Sequence, residues 1–196
     1  MNSQEKLLQY AEAFVRFTDV EKNHFISCFN EMTIRKKQFI VQPNFTARYR
    51  SFIVKGTFRA YVITNDGKEC SIQFAVDNWW ITDFNSYIYQ NPATMFVVAL
   101  EDSKVLNLDF EKEQELKKAN HKFETLFRIM AEKGLAFEHR RIINNLTQTA
   151  EERYENFLLN FPLIAHRVPQ YALASYLGMT TEFLSRIRNK RLPKKS

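Results

Sequence analysis

Val-Pro-Gln-Tyr-Ala-Leu-Ala-Ser-Tyr-Leu-Gly-Met-Thr-Thr-Glu-Phe-Leu-Ser-Arg-Ile-Arg-Asn-Lys-Arg, residues 168–191, is the stretch whose reading decides the rest of the chain. Pro169 can open a short helix at its first position, Leu173 and Leu177 recur on its inner face, and Gly178 supplies the backbone freedom of a sharp turn. Thr180 or Thr181 then caps a second helix. In that helix Leu184 and Ile187 must face inward, which leaves Thr181, Glu182, Ser185, Arg186 and Arg188 pointing out. Ala174 is small where the two helices have to cross closely. This spacing is the pattern of a helix-turn-helix, whose second helix lies in the major groove of DNA. A plain surface hairpin of helices is the competing reading, and charge argues against it. Arg186, Arg188, Lys190, Arg191, Lys194 and Lys195 follow Glu182 with no acid after it, a run that phosphate binding needs and a hairpin does not.

With 196 residues and 45% hydrophobic content, the chain can bury one sizeable core or two small ones. The 28 basic residues outnumber the 22 acidic ones, giving +6, and much of that excess lies near the C-terminus. No secretory apolar core follows the polar first residues and no apolar run approaches membrane-spanning length, so a soluble cytoplasmic protein without a membrane partner is expected. Cys28 and Cys70 are far apart and outside any Cys-x-x-Cys pair, which supports neither a disulfide framework nor a metal cluster. His24, His121, His139 and His166 lack metal-site spacing, so no metal is expected. No histidine triad, nucleophile–base pair or phosphate loop is present, and the reading is of a non-enzyme.

Residues 4–30 read as helices, with one apolar stripe through Leu7, Leu8, Ala11, Phe14 and Val15. A second stripe through Phe25, Ile26 and Phe29 follows a Thr18-Asp19 cap signal. From about residue 33 to 110 the period changes to strand, with candidate runs at 37–41, 51–55, 57–64, 69–76, 94–100 and 104–108. Asp66-Gly67 between two of these runs is a strong hairpin signal. Short strands at this spacing argue for a compact antiparallel barrel or sandwich.

Residues 111–146 read as a long helical segment in which Phe123, Phe127, Met130, Gly134, Phe137 and Arg141 alternate like a coiled-coil seam. Gly134 in mid-helix needs a packing reason, and a partner helix approaching closely would supply one, the alternative being a single helix lying on its own barrel. Thr149 and Glu152 form a capping box for a helix ending before Pro162, and 163–167 reads as a linker.

The segment 51–74, the long helix and the terminal helix pair together resemble the Crp/Fnr family of bacterial transcription regulators over nearly the whole chain. The most specific parts are Phe52-Ile53-Val54-Lys55-Gly56, Asp66-Gly67-Lys68-Glu69 and residues 178–187. The resemblance implies an α+β chain in three parts. These are an N-terminal cyclic-nucleotide-binding-like antiparallel β-barrel of jelly-roll type (1–120), a dimerisation helix (121–147) and a helix-turn-helix DNA-binding domain (148–196). It implies double-stranded DNA, a second copy of the chain and RNA polymerase as partners, and a dimer interface through Phe123, Phe127, Met130, Gly134 and Phe137. Thr180, Thr181, Glu182, Ser185, Arg186, Arg188, Lys190 and Arg191 are the DNA-contact candidates, with Arg186 and Glu182 matching the family's base readers. Where the family carries Gly-Glu, a short helix and Arg-Ser to hold a cyclic-nucleotide phosphate, this chain has Thr82-Asp83 and Ala93-Thr94. The phosphate arginine is gone, which predicts no response to cyclic AMP. Glu138 and His139 stand near the place of the family's base-contacting residues. Trp79, Trp80, Asp83, Phe84, Tyr87, Ala93, Thr94, Glu138 and His139 are therefore candidates for a pocket holding an unidentified small-molecule effector, against the alternative that the aromatics are ordinary core. No haem or other cofactor is expected. The family's β-hairpin wing after the recognition helix is missing, and a basic tail to Ser196 is the expected substitute. The rival to a regulator is a small-molecule or protein-binding barrel with the terminal helices as scaffold.

Overall fold

Alternating apolar positions in the first half of the chain fold into two facing antiparallel sheets, described together with the helices from a computed structural model that covers residues 1–191. One sheet has the order β1 (Phe29–Ile34), β8 (Ser103–Asp109), β3 (Tyr49–Lys55), β6 (Trp80–Ile81). The other has β2 (Phe39–Val41), β7 (Phe96–Ala99), β4 (Phe58–Ile63), β5 (Glu69–Ala75). This is the expected jelly-roll-like arrangement. Gly67, at φ +80°, closes the β4–β5 hairpin where Asp66-Gly67 predicts it. Ile53, Phe58, Val97 and Val105 are fully buried between the sheets.

The helices α1 (Ser3–Glu12) and α2 (Asp19–Ser27) cover the outer face of the first sheet. Asn2 and Thr18 cap them, each in a full capping box. Phe29 does not extend the second helix as its apolar spacing suggests. It opens β1, paired to Leu108, because an edge strand buried only at its two ends shows no alternation to read.

Between β6 and β7 lies α3 (Phe84–Tyr89). The expected long helical segment after β8 is two helices, α4 (Phe110–Ala119) and α5 (His121–Thr147), broken at the extended Asn120. Asn120 caps α5 through the Lys122 N–H at 2.9 Å and donates to Glu21 at 2.7 Å, anchoring the break to α2. Beyond α5 come α6 (Ala150–Asn160), α7 (Pro162–Arg167), α8 (Gln170–Tyr176) and α9 (Thr181–Arg191). Residues 162–167 are thus a helix opened by Pro162, where the sequence suggests a linker. The third core joins these helices to Phe74 and Val76 of the barrel.

Gly56 sits at φ +131°, and a Cβ there would lie 2.1 Å from the Ser103 hydroxyl. Both the backbone and the space require glycine. Gly56→Ala is expected to lower unfolding stability by about 2 kcal/mol or more, read as a shift in denaturant midpoint without loss of cooperativity.

Candidate functional site

The two C-terminal helices pack as their spacing predicts. Leu173, Leu177, Leu184 and Ile187 are buried, and Ala174 lies at 1% exposure where the helices meet. Pro169 occupies the cap position of α8, one residue before the helix begins. Gly178 turns the chain at φ +68°. Thr180 resolves the choice of cap, its hydroxyl accepting the Phe183 N–H at 3.2 Å and its carbonyl the Leu184 N–H at 3.0 Å. Glu182, Arg186, Arg188 and Lys190 are exposed on one helix and form no ion pair with one another, while Thr181 and Ser185 are half-buried. Arg186 lies 5.3 Å from the centroid of the Phe183 ring, which supports its guanidinium from below. The side chain of Arg191 and the basic tail 192–196 lie outside the described residues.

The first of these helices, α8, is docked on the barrel. The Ser175 hydroxyl accepts the Ser71 N–H and donates to the Glu69 carbonyl, both at 2.9 Å, so it completes the outer edge of β5. Ser71 donates in turn to the Ala172 carbonyl at 2.9 Å. Behind it the buried Arg59 donates to Ser71 at 2.9 Å and pairs with Glu69. The Arg59 guanidinium also faces the rings of Tyr61 and Tyr171. A second tie runs through Arg167 at the end of α7, which pairs with Asp77 and Glu101. Asp77 also accepts the Gly56 N–H at 2.9 Å.

The phosphate cassette of the barrel is occupied by the chain itself. Asp83 is fully buried, accepting the Ser86 N–H at 3.1 Å with one oxygen and the Thr94 N–H at 3.0 Å with the other. Ala93 is buried beside it. Tyr87 fills the barrel interior and donates to Glu113 at 2.9 Å. Burial first, and then the Glu113 charge, push its phenol well above the usual tyrosine value.

A cavity of about 480 Å³ lies further out, between β6 and α5. Trp79, Trp80, Phe84 and Glu138 line it as the sequence suggests. Asp83, Tyr87, Ala93 and Thr94 do not, because they close the cassette, and the exposed His139 is also outside it. Sequence reasoning misses Arg50, a buried guanidinium on the cavity wall. One arginine in a strand gives no signal until the fold encloses it.

The expected seam of α5 needs correction. Phe123 and Phe127, 1% and 3% exposed, are covered by the chain's own first core, and Met130 packs against them. Phe137 meets Phe161, with ring centroids 6.0 Å apart. Gly134 is exposed with nothing within 4 Å of an added Cβ, so no close contact within the chain requires it. The apolar residues left bare on α5 are Leu135, Ile142, Ile143 and Leu146. Among the described residues no group of His, Cys, Asp and Glu is placed to hold a metal ion, and no helix is long and apolar enough to cross a membrane.

No protein-family model matches the chain, and no curated protein matches it by sequence. Solved structures do match in three dimensions. FixK2 from Bradyrhizobium japonicum is 20% identical, with a TM-score of 0.71 over 83% of each chain. The c-di-GMP-responsive global regulator CLP from Xanthomonas campestris is 12% identical, with a TM-score of 0.70 over 88% of this chain and 91% of its own. A putative transcriptional regulator of the Crp/Fnr family from Eubacterium rectale is 14% identical, with a TM-score of 0.69 over 89% and 83%. The fold of this chain is the fold of those proteins, barrel and terminal helices together.

The Arg167 tie gives the dock a pH dependence of defined sign. Burial raises the Asp77 carboxyl, but the Arg167 guanidinium and the Gly56 N–H outweigh it and hold the group below its ordinary value. Its contribution is therefore present at neutral pH and lost as pH falls through that lowered value. Arg167→Ala is expected to lower stability by about 1 kcal/mol at pH 7, small because the pair is partly solvated. Melting curves of variant and wild type should begin to approach one another below about pH 4, the ordinary aspartate value, and meet only once pH has fallen past the lowered Asp77 value.

Proposed function

We propose that this chain is a homodimeric, sequence-specific DNA-binding regulator of transcription that does not respond to cyclic AMP. The observation that carries the reading is the division of α9. Leu184 and Ile187 hold it to the domain, while Glu182, Arg186, Arg188 and Lys190 stand free on its outer side. A helix so presented fits the major groove, with Arg186 reading guanine and Glu182 accepting from cytosine. Thr181 and Ser185 on the flank, with Arg188 and Lys190, bind phosphates and set register. Of the solved structures with this fold, CLP is described as a global regulator of virulence gene expression and the Eubacterium rectale protein as a putative transcriptional regulator, and RNA polymerase is the further partner such a regulator would act on.

Dimerisation through α5 is supported by its bare apolar positions. Ala131, Leu135 and Ile142 follow one another at steps of four and seven, the spacing of a heptad seam one position round from Met130 and Gly134, and Leu146 flanks that seam one turn beyond Ile142. Two copies joined there would carry two α9 helices to successive grooves about 34 Å apart. Against cyclic AMP stands the segment Thr82 to Thr94, where Asp83 itself accepts the Ser86 and Thr94 N–H groups and neither Ala93 nor Thr94 carries a guanidinium.

Three outcomes follow. Arg186→Ala should weaken binding to a selected duplex by about 1–3 kcal/mol and relax preference at one position, whereas Lys190→Ala should weaken all duplexes alike and reduce the salt slope by about 1. Competition gel shifts against random duplex separate the two, and equal loss on specific and random DNA for Arg186→Ala would remove it from base readout. Leu146→Asp, at a position 81% exposed, should leave the fold intact and convert a dimer to a monomer in light scattering. Calorimetry with cyclic AMP should show no heat of binding.

A further inference from the structure

The cavity between β6 and α5 combines an aromatic wall with a single buried cation. Trp79, Trp80, Phe84, Met130 and Phe137 supply apolar surface, and α5 contributes Gly134 and Leu135 at its mouth. Its polar groups are mostly engaged elsewhere. Thr82 donates to the Tyr49 carbonyl at 2.8 Å, Gln73 reaches the Trp80 carbonyl at 3.5 Å, and Glu138 pairs with Arg141 at 3.4 Å. Arg50 is the charged exception, and the buried indole N–H of Trp80 also meets no acceptor within hydrogen-bond distance.

Arg50 is 5% exposed, and its Nε meets no acceptor. Its guanidinium stands 5.2 Å from the ring centroids of Phe84, Tyr87 and Phe127. Its one ion pair among the described residues is with Glu113 at 3.2 Å, and the same Glu113 oxygen is held more closely by Lys117 at 2.7 Å. The other Glu113 oxygen takes the Tyr87 hydroxyl. One carboxylate thus serves two cations, so positive charge beside the cavity is in excess by one. Asp109, the next carboxylate, faces away to cap α4 through the Glu111 N–H at 2.9 Å. A buried cation with spare donor capacity against an apolar wall favours one anionic oxygen group attached to an apolar body. A dianion such as a phosphate monoester would exceed the single positive charge in excess beside the cavity.

We infer that this cavity binds an amphipathic organic monocarboxylate, its carboxylate on Arg50 and its aromatic or acyl body among Trp79, Trp80, Phe84 and Phe137. A cavity of about 480 Å³ is of the size that holds such a molecule. The wall is shared by the barrel and α5, so occupancy bears on the position of α5, the helix that carries the proposed seam. The inference deepens the regulatory reading by naming the ligand class for it.

The test needs no DNA, so a failure of carboxylate binding and a failure of duplex binding are read separately. The chain's two tryptophans both line the cavity, which makes intrinsic fluorescence the natural readout. The probes are 4-phenylbutyrate and its neutral counterpart 4-phenylbutyramide, titrated into the full chain. The acid is expected to change emission saturably, with the amide at least about tenfold weaker, the discrimination one charge-assisted hydrogen bond supplies. Arg50→Gln should bind both alike. Because that change breaks a buried ion pair and the variant can fail to fold, Gly134→Phe serves as the second variant. It places a ring at the cavity mouth from a position with free space at its Cβ, and should weaken the acid by about tenfold or more. Equal affinity for acid and amide in the unmodified protein, the absence of a saturable response to the acid, or unchanged binding in Gly134→Phe would each overturn the inference.

Discussion

Strand β5 is an edge, and an edge exposes N–H and C=O groups that must be bonded to something. In this molecule the partner is not another strand. One hydroxyl, that of Ser175, takes the Ser71 N–H and gives its proton to the Glu69 carbonyl, closing the edge as a short strand would. Further along the strand, the Ile72 carbonyl accepts from Arg141 of α5, at the bulge where the β4–β5 register shifts. The barrel's open side is therefore completed by the long helix and by the first helix of the terminal pair. Whatever moves α5 or α8 must first uncover that edge, and this is why the sensor-like half and the helix-presenting half cannot vary independently.

Two buried arginines show how differently the barrel handles charge. Arg59 is enclosed with a carboxylate, a hydroxyl and two tyrosine rings, and its role is to brace Ser71 against α8. Arg50 shares its one carboxylate with Lys117 and faces open space lined by aromatics. Each leaves one nitrogen without an acceptor, so the difference lies in the carboxylate: Arg59 has Glu69, whereas Arg50 shares Glu113 and stands beside a cavity, which points to a ligand. The same contrast separates the cassette from the cavity. Asp83 and Tyr87 consume the interior of the barrel, and the vacancy that remains lies outward, against α5.

Local signals are the ones the sequence makes legible. The Asp66-Gly67 hairpin, the Thr18 and Thr149 capping boxes and the inward pair Leu184 and Ile187 each depend on residues a few positions apart, so their chemistry is complete within a short window. The strand β1 escapes because its pairing with β8 is set by residues some seventy positions away, which leave no alternation in Phe29–Ile34 itself. Periodicity on α5 reveals the stripe through Phe123, Phe127, Met130 and Phe137 but not what will cover it. Phe17 and Phe25 pack on Phe123, and the core between the N-terminal helices and the first sheet takes up Phe127, leaving Leu135, Ile142 and Leu146 outside. Half of the aromatic pocket is legible from composition around residues 79–84, whereas Arg50 becomes a site residue only once β3 brings it beneath α5.

The account stands on α9 meeting DNA from each of two symmetry-related copies. Selection of bound duplexes from a random pool tests that most directly. The account predicts an inverted repeat whose half-site centres are about 10 base pairs apart, with a guanine at matching positions of each half. Recovery of no enriched sequence at low salt, or of a single half-site without its mirror image, would contradict it.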